Sequence, residues 1–210
     1  MRLPLVAPAM RDHAQMPSRP LFFFGAMSPY SWFAAERIDG VLPQAQWRGV
    51  LAGAIFKANG RESWGLTEHR APGMADCEAR AAARGLGQIR WPDPWPTSDL
   101  LIARAMTHAE TLGMLKPFAL SAMRLAFLEG GDLGDREMVL EAARLAAINI
   151  PELEGALEDR AVKQALRSVT DEALALGVFG VPTIAVGSEL FWGDDRLEDA
   201  AGTVREHQSG

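Results

Sequence analysis

The chain has 210 residues, 48% hydrophobic and 23% charged, with a net charge of −6 at pH 7. This is the balance of a globular protein of one domain, or of one domain carrying a large insertion, able to bury roughly 70% of its unfolded surface; acidic residues spread along the chain disfavour a nucleic-acid partner. The one cysteine, Cys77, excludes an internal disulfide, a CxxC pair and a cysteine-based zinc cluster, and it points to a reducing compartment, the cytoplasm.

Residues 1–19 carry a short apolar run that Pro4 and Pro8 interrupt and that Arg11, Asp12 and His13 end. They read as a disordered leader, or as a start placed ahead of Met16, rather than as a secretory signal. Nowhere do 18 apolar residues run uninterrupted, so no membrane span is expected. Leu21-Phe22-Phe23-Phe24 suits a strand buried on both faces, with Gly25 as the turn behind it. From Ser28, serine at the N-cap and Pro29 at the first helical position open a helix through Tyr30, Ser31 and Trp32 towards Ile38. The segment Gln46 to Phe56 is read as the second strand and its exit, completing a βαβ unit joined right-handedly.

From Leu66 to Leu176 the pattern changes to alanine-rich sequence of helical period. Helices are predicted near 74–85, 98–113, 117–129, 135–148 and 158–176, separated by Gly85-Leu86-Gly87, Gly130-Gly131-Asp132 and Pro151. Trp91-Pro92-Asp93-Pro94-Trp95-Pro96 cannot be helical and reads as an ordered loop. Strand character returns at Pro182 to Val186 and Glu189 to Trp192 around the Gly187-Ser188 turn, and a final helix is expected over 195–205. The expected fold class is therefore α/β, a thioredoxin fold (βαβ then ββα) formed by 20–65 and 177–207 and interrupted by an all-helical insertion domain over 66–176. Such an order fixes no function.

Ser28-Pro29-Tyr30-Ser31 stands where redox proteins of this fold place CxxC. With serine there, electron transfer through a protein dithiol is impossible. The unpaired amides and positive dipole of the helix start still favour an anion, and the thiolate of a bound small molecule would suit. Taken alone, Ser28 reads first as a plain helix cap. The four histidines, His13, His69, His108 and His207, lack metal-ligand spacing and read as surface residues, and no metal site is expected. Gly85-Leu86-Gly87 lacks the third glycine and the preceding strand of a dinucleotide fingerprint. Cys77 reads as inert, and Trp64, Trp91 and Trp95 either wall an aromatic pocket or pack a loop.

Phe22 to Trp32, Gly53-Ala54-Ile55-Phe56-Lys57, Gly180-Val181-Pro182-Thr183 and Leu190-Phe191-Trp192-Gly193-Asp194-Asp195-Arg196-Leu197 occur in the order seen in 2-hydroxychromene-2-carboxylate isomerases. Over residues 20–205 the chain resembles that family and its relatives, the kappa-class glutathione transferases, all similar to DsbA-type oxidoreductases in their helical insertion. The resemblance implies glutathione, or another low-molecular-weight thiol, as cofactor and a small aromatic substrate. It implies that Ser28 hydrogen-bonds the thiol sulfur with Pro29 and Tyr30 beside it, and that Val181 pairs with the cysteinyl unit next to a cis Pro182. Asp194 and Asp195 would receive the γ-glutamyl ammonium, and the kappa class implies a homodimer. Two positions depart from the pattern: Gly25 replaces an acidic residue, and Arg61 stands at the family's asparagine with Asn59 two positions away. Lys57 or Arg61 would then bind a carboxylate of the thiol or of the substrate.

The implied activity is a glutathione-dependent isomerisation of an aromatic α-keto acid through a thiolate held by Ser28. A thiol of pKa about 8.5 is only about 3% thiolate at pH 7, and holding it near pKa ~6.5 takes about 2.7 kcal/mol. A helix terminus supplies ~0.3 to 1 kcal/mol and a bond to a charged group ~1.5 to 3, so the hydroxyl is needed. A glutathione transferase that releases the conjugate, and a non-catalytic thioredoxin-like binding protein, are the alternatives.

Overall fold

The computed structural model describes residues 19–209, with side chains to residue 207; the leader expected over 1–19, Arg19 apart, lies outside them. The chain opens with strand β1 (Leu21–Phe24), helix α1 (Pro29–Ala35), a short α2 (Ile38–Val41), β2 (Gln46–Gly49) and α3 (Ala52–Ala58). After a 3-10 turn at Trp64–Leu66 come α4 (Arg70–Ala83), α5 (Leu100–Thr111), α6 (Leu115–Glu129), α7 (Arg136–Leu145), α8 (Ile150–Glu158) and α9 (Arg160–Ala175). The chain then closes with β3 (Thr183–Val186), β4 (Glu189–Trp192), a 3-10 turn at Asp194–Arg196 and α10 (Leu197–Ser209).

The strands form one sheet in the order β2-β1-β3-β4, with β1 and β2 parallel and the other pairs antiparallel. Every residue of β1 is buried, as its unbroken apolar run requires of a central strand. Phe22 and Phe24, two residues apart, stack at 5.1 Å on one face, and Trp47 of β2 meets both edge-on at 5.2 and 5.3 Å. The helical insertion shares this core. Trp32 of α1 stacks on Phe127 of α6 at 5.6 Å, and Glu36 just beyond α1 takes both nitrogens of a forked bond from Arg124 of α6 at 2.7 Å. One continuous set of buried apolar residues runs through both parts.

Several features differ from the sequence reading, among them α8, which lies between two predicted helices. The second strand stops at Gly49 and the chain turns into α3, although Leu51 offers that helix no side-chain cap. The cap comes from far along the chain: the carboxylate of Asp99, at the start of α5, accepts the Gly53 N–H at 3.1 Å. Pro151 does not merely separate helices; it lies in the first turn of α8, where a proline ring sets φ and no amide partner is missed, behind an Asn149 cap that accepts the Glu152 N–H at 3.0 Å. His108 is buried rather than at the surface, on the face of α5 towards α8, with Glu152 Oε1 at 3.9 Å. His69 and His207 are exposed, and His13 lies outside the described residues.

Candidate functional site

At the ends of β1 and β3 a cleft of about 1090 Å³ opens between the sheet and the helical insertion. Its floor is the turn from β1 into α1. Ser28, at φ −96° and ψ 118°, caps α1 by accepting the Ser31 N–H at 3.2 Å, and Pro29 follows in the first turn. The Ser28 hydroxyl therefore uses a lone pair for the helix, and its own proton has no acceptor among the described residues. Val181 and Pro182 line the same cleft, and the bond between them is cis, as the resemblance implies. Because the β1–β3 register ends at Thr183, the Val181 backbone lies outside that ladder.

Aromatic rings form one wall. Trp64 and Trp95 face the cleft with ring centroids 5.0 Å apart, and Tyr30 meets Trp64 edge-on at 6.2 Å. Trp91 packs behind Trp95 at 4.7 Å, outside the lining, and its indole N–H goes to Glu78 at 2.8 Å. A Cβ on Gly73 would come within 2.5 Å of the Trp64 ring, so the wall needs a glycine there. Tyr30 presents its ring to the cleft, but its hydroxyl donates at 3.1 Å to Oδ2 of Asp76, a residue outside the lining. Burial, with Cys77 and Asp76 close by, raises its pKa and keeps it protonated. Cys77 is fully buried, and burial above all pushes its thiol up to about 12, which removes it as a nucleophile.

At the other end the two aspartates part company. Asp194 is 1% exposed and already bound: Arg80 of α4 meets Oδ1 at 2.9 Å and Arg84 meets Oδ2. Burial pushes this carboxyl up, and the two guanidiniums pull against it. Arg80 also bonds Asp76 at 2.8 Å and lies 5.3 Å over the Tyr30 ring, so Asp194 ties α4 to the start of the last helix and holds Arg80 in the cleft wall. Asp195 is exposed and has no such ties among the described residues. Its carboxylate folds back over Gly193, at φ +116°, where a Cβ would sit 2.5 Å from Oδ1.

Arg61 lines the cleft with its guanidinium 5.1 Å over Trp192 and 5.6 Å over Phe179, and no carboxylate partner is among the described residues. Lys57 and Asn59 do not line it: Lys57 is exposed in the last turn of α3, and Asn59 donates to the Ile55 carbonyl at 2.9 Å in closing that helix. The departure at Gly25 has a packing cause, since a Cβ there would meet the Ala52 Cβ at 2.9 Å. Sequence reasoning missed Asp99, Thr97, His69, Arg80, Arg196 and Trp192, all in the lining. Asp99 carried the signal of a helix cap, and nothing local says that its carboxylate caps a different helix.

Among the described residues no cluster of three or more His, Cys, Asp or Glu is placed to hold a metal, and no helix is long and apolar enough to cross a membrane. A smaller depression of about 540 Å³ near Gly85 to Ile89 includes Glu78, already engaged by Trp91.

No curated protein matches the sequence. Among solved structures, a 2-hydroxychromene-2-carboxylate isomerase is similar at 18% identity and TM-score 0.78, over 90% of this chain and 97% of that one. A probable DsbA oxidoreductase from Streptomyces coelicolor is similar at 19% identity and TM-score 0.75, over 93% of this chain and 91% of that one. The cytosolic disulfide reductase DsbM from Pseudomonas aeruginosa, solved with GSH, is similar at 13% identity and TM-score 0.62, over 91% of this chain and 100% of that one. At these identities the likeness is one of fold. The family model for the DSBA-like thioredoxin domain matches residues 21–205, nearly the whole described chain, and the protein belongs to that family.

Proposed function

We propose that this protein is a cytoplasmic, glutathione-dependent isomerase of an aromatic α-keto acid whose double bond is conjugated to the ketone. The observation that carries the reading is the Ser28 hydroxyl, whose proton has no acceptor among the described residues, in one cleft with Val181, an exposed Asp195 and an aromatic wall. A protein dithiol is ruled out by a single buried cysteine, so the redox chemistry of DsbA-type relatives has no means here.

The residues present fit glutathione. Ser28 has an O–H to give to a thiolate, Val181 has backbone groups outside the sheet ladder for an extended peptide, and Asp195 can receive an α-ammonium. Arg61, held flat by Trp192 and Phe179, suits a carboxylate of the thiol or the substrate. When bound, glutathione would supply a sulfur nucleophile that adds reversibly to the conjugated bond and frees it to rotate. Ser28 keeps that sulfur ionised, Trp64 and Trp95 hold the aromatic ring and exclude water, and Asp194 acts only through Arg80. Support also comes from the isomerase and the GSH-bound reductase among the similar structures.

Calorimetry with glutathione, followed by turnover of 2-hydroxychromene-2-carboxylate, tests the reading. Saturable binding with no net thiol consumption is expected. Stoichiometric loss of thiol would make the protein a transferase, and no binding of any cellular thiol would leave a non-catalytic binding protein.

A further inference from the structure

We infer that Asp99 is a catalytic residue of this cleft, the acid–base group that serves the substrate's ketone oxygen; the inference rests on the isomerase reading above. Asp99 is brought in by the helical insertion and lines the cleft together with Ser28, Ala52 and Gly53. Oδ2 accepts the Gly53 N–H at 3.1 Å, which ties the carboxylate to the first turn of α3, and no side chain among the described residues bonds it. The neighbourhood is continuous: Thr97, two residues earlier, reaches the Met27 sulfur at 3.9 Å, and Ala52 packs against Gly25 beneath the turn that carries Ser28.

No cation partners this carboxylate among the described residues. Arg80 is bound by Asp76 and Asp194, Arg196 by Asp199, and Arg61 by the Phe179 carbonyl and its two rings. Glu62, His69 and Asp195 share the cleft without bonding Asp99. On the helices that meet it, Lys57 ends α3 in solvent, Arg104 bonds the Leu157 carbonyl and His108 faces Glu152. Burial accordingly raises the Asp99 pKa, and the amides of Gly53, Asp99 and Ala52 only partly offset it. A carboxyl raised in this way keeps its proton to a higher pH than an exposed one and is the better placed to give and retake it.

The chemistry needs such a group. As the nucleophile adds to the far carbon of the conjugated system, the electron pair moves to the ketone oxygen. Asp99 gives its proton to that oxygen, breaking its own O–H bond and forming the enol O–H. After rotation the proton returns to Asp99 as the C=O bond reforms and the nucleophile leaves. Nothing is oxidised or reduced, and the carboxyl ends as it began.

A structural role is separable, because asparagine can still accept the Gly53 N–H. Asp99→Asn should keep the unfolding temperature and glutathione affinity of the wild type, yet lose about a hundredfold in kcat, the low end of general acid–base effects. It should also lose one limb of the two-limbed pH profile and keep the limb set by the thiol. Asp99→Ala should lose stability as well. Carboxyl-carbon NMR of the protein without thiol should place Asp99 above the ordinary aspartate range. Unchanged kcat and pH profile in Asp99→Asn, with wild-type turnover and binding intact, would overturn the role of Asp99 alone. A wild type that binds glutathione without isomerising the substrate, or binds none, would overturn the isomerase reading and this inference with it.

Discussion

Replacing Ser28 by alanine removes one hydroxyl that has two separable roles. As the cap of α1 it accepts the Ser31 N–H at 3.2 Å, and losing it should cost about 1 kcal/mol, some ~2–4 °C in unfolding temperature for a chain of this size. As the proposed donor to a thiolate its share is larger. Moving a thiol from pKa about 8.5 to ~6.5 takes about 2.7 kcal/mol. The helix start accounts for ~0.3 to 1 of it, leaving about 2 kcal/mol to the hydroxyl, within the range for a hydrogen bond to a charged group. Without the hydroxyl the bound thiol returns to about pKa 8, and its thiolate fraction at pH 7 falls from roughly 75% to roughly 10%. Turnover by Ser28→Ala at pH 7 should therefore drop about tenfold, and the gap should close above pH ~9, where the thiol ionises unaided. Ser28→Gly separates the roles, since glycine caps nearly as well as serine: it should be almost as stable as wild type and as impaired as Ser28→Ala. The assay is the ultraviolet absorbance of glutathione thiolate in the complex, titrated against pH in all three proteins. Coincident midpoints would refute the argument and reduce Ser28 to a cap.

Asp195→Asn should raise KM for glutathione with kcat nearly unchanged and little change in stability, because it removes only uniform binding from an exposed site. Asp194→Asn should instead destabilise by about 3–5 kcal/mol in urea, since it leaves Arg80 and Arg84 without their shared buried anion; wild-type stability would contradict that tie. Glu36 is 12% exposed, and although burial pushes its pKa up, the bonds from Arg124 and Trp32 leave it below the ordinary value. Its contribution is then present above the unfolded pKa of about 4.3 and lost as pH falls through the lower folded value. Glu36→Gln should show a shallower loss of stability below pH ~4.5 than wild type. Gly25→Ala should cost about 1–3 kcal/mol from overpacking against Ala52, and adding Ala52→Gly should restore part of it, read by thermal unfolding of the two single variants and the double.

Local chemistry, legible in the residues, settled much of this protein. A run of Leu21 and three phenylalanines has one home, the centre of a sheet, and Ser28-Pro29 can hardly avoid opening a helix. The alanine-rich period between them and the closing hairpin marks the insertion. What the tertiary structure decided lies where a partner comes from far away. The first turn of segment 52–58 is capped by a carboxylate 46 positions on that takes the Gly53 amide, a contact that no window of sequence contains. Asp194 and Asp195 look alike as adjacent acids opening a helix. Packing buries one between two arginines of α4 and leaves the other in solvent, so their charges meet different partners. Lys57, Asn59 and Arg61 are near neighbours in the chain, but a helix turns each position about 100° from the last. The end of α3 sends Lys57 to solvent and closes with Asn59 on its own carbonyl, while the residues after it bring Arg61 back over Trp192 into the cleft. Propensity and capping are properties of a few consecutive residues, whereas which charge is buried and which faces a ligand depends on surfaces that meet only when the chain has folded.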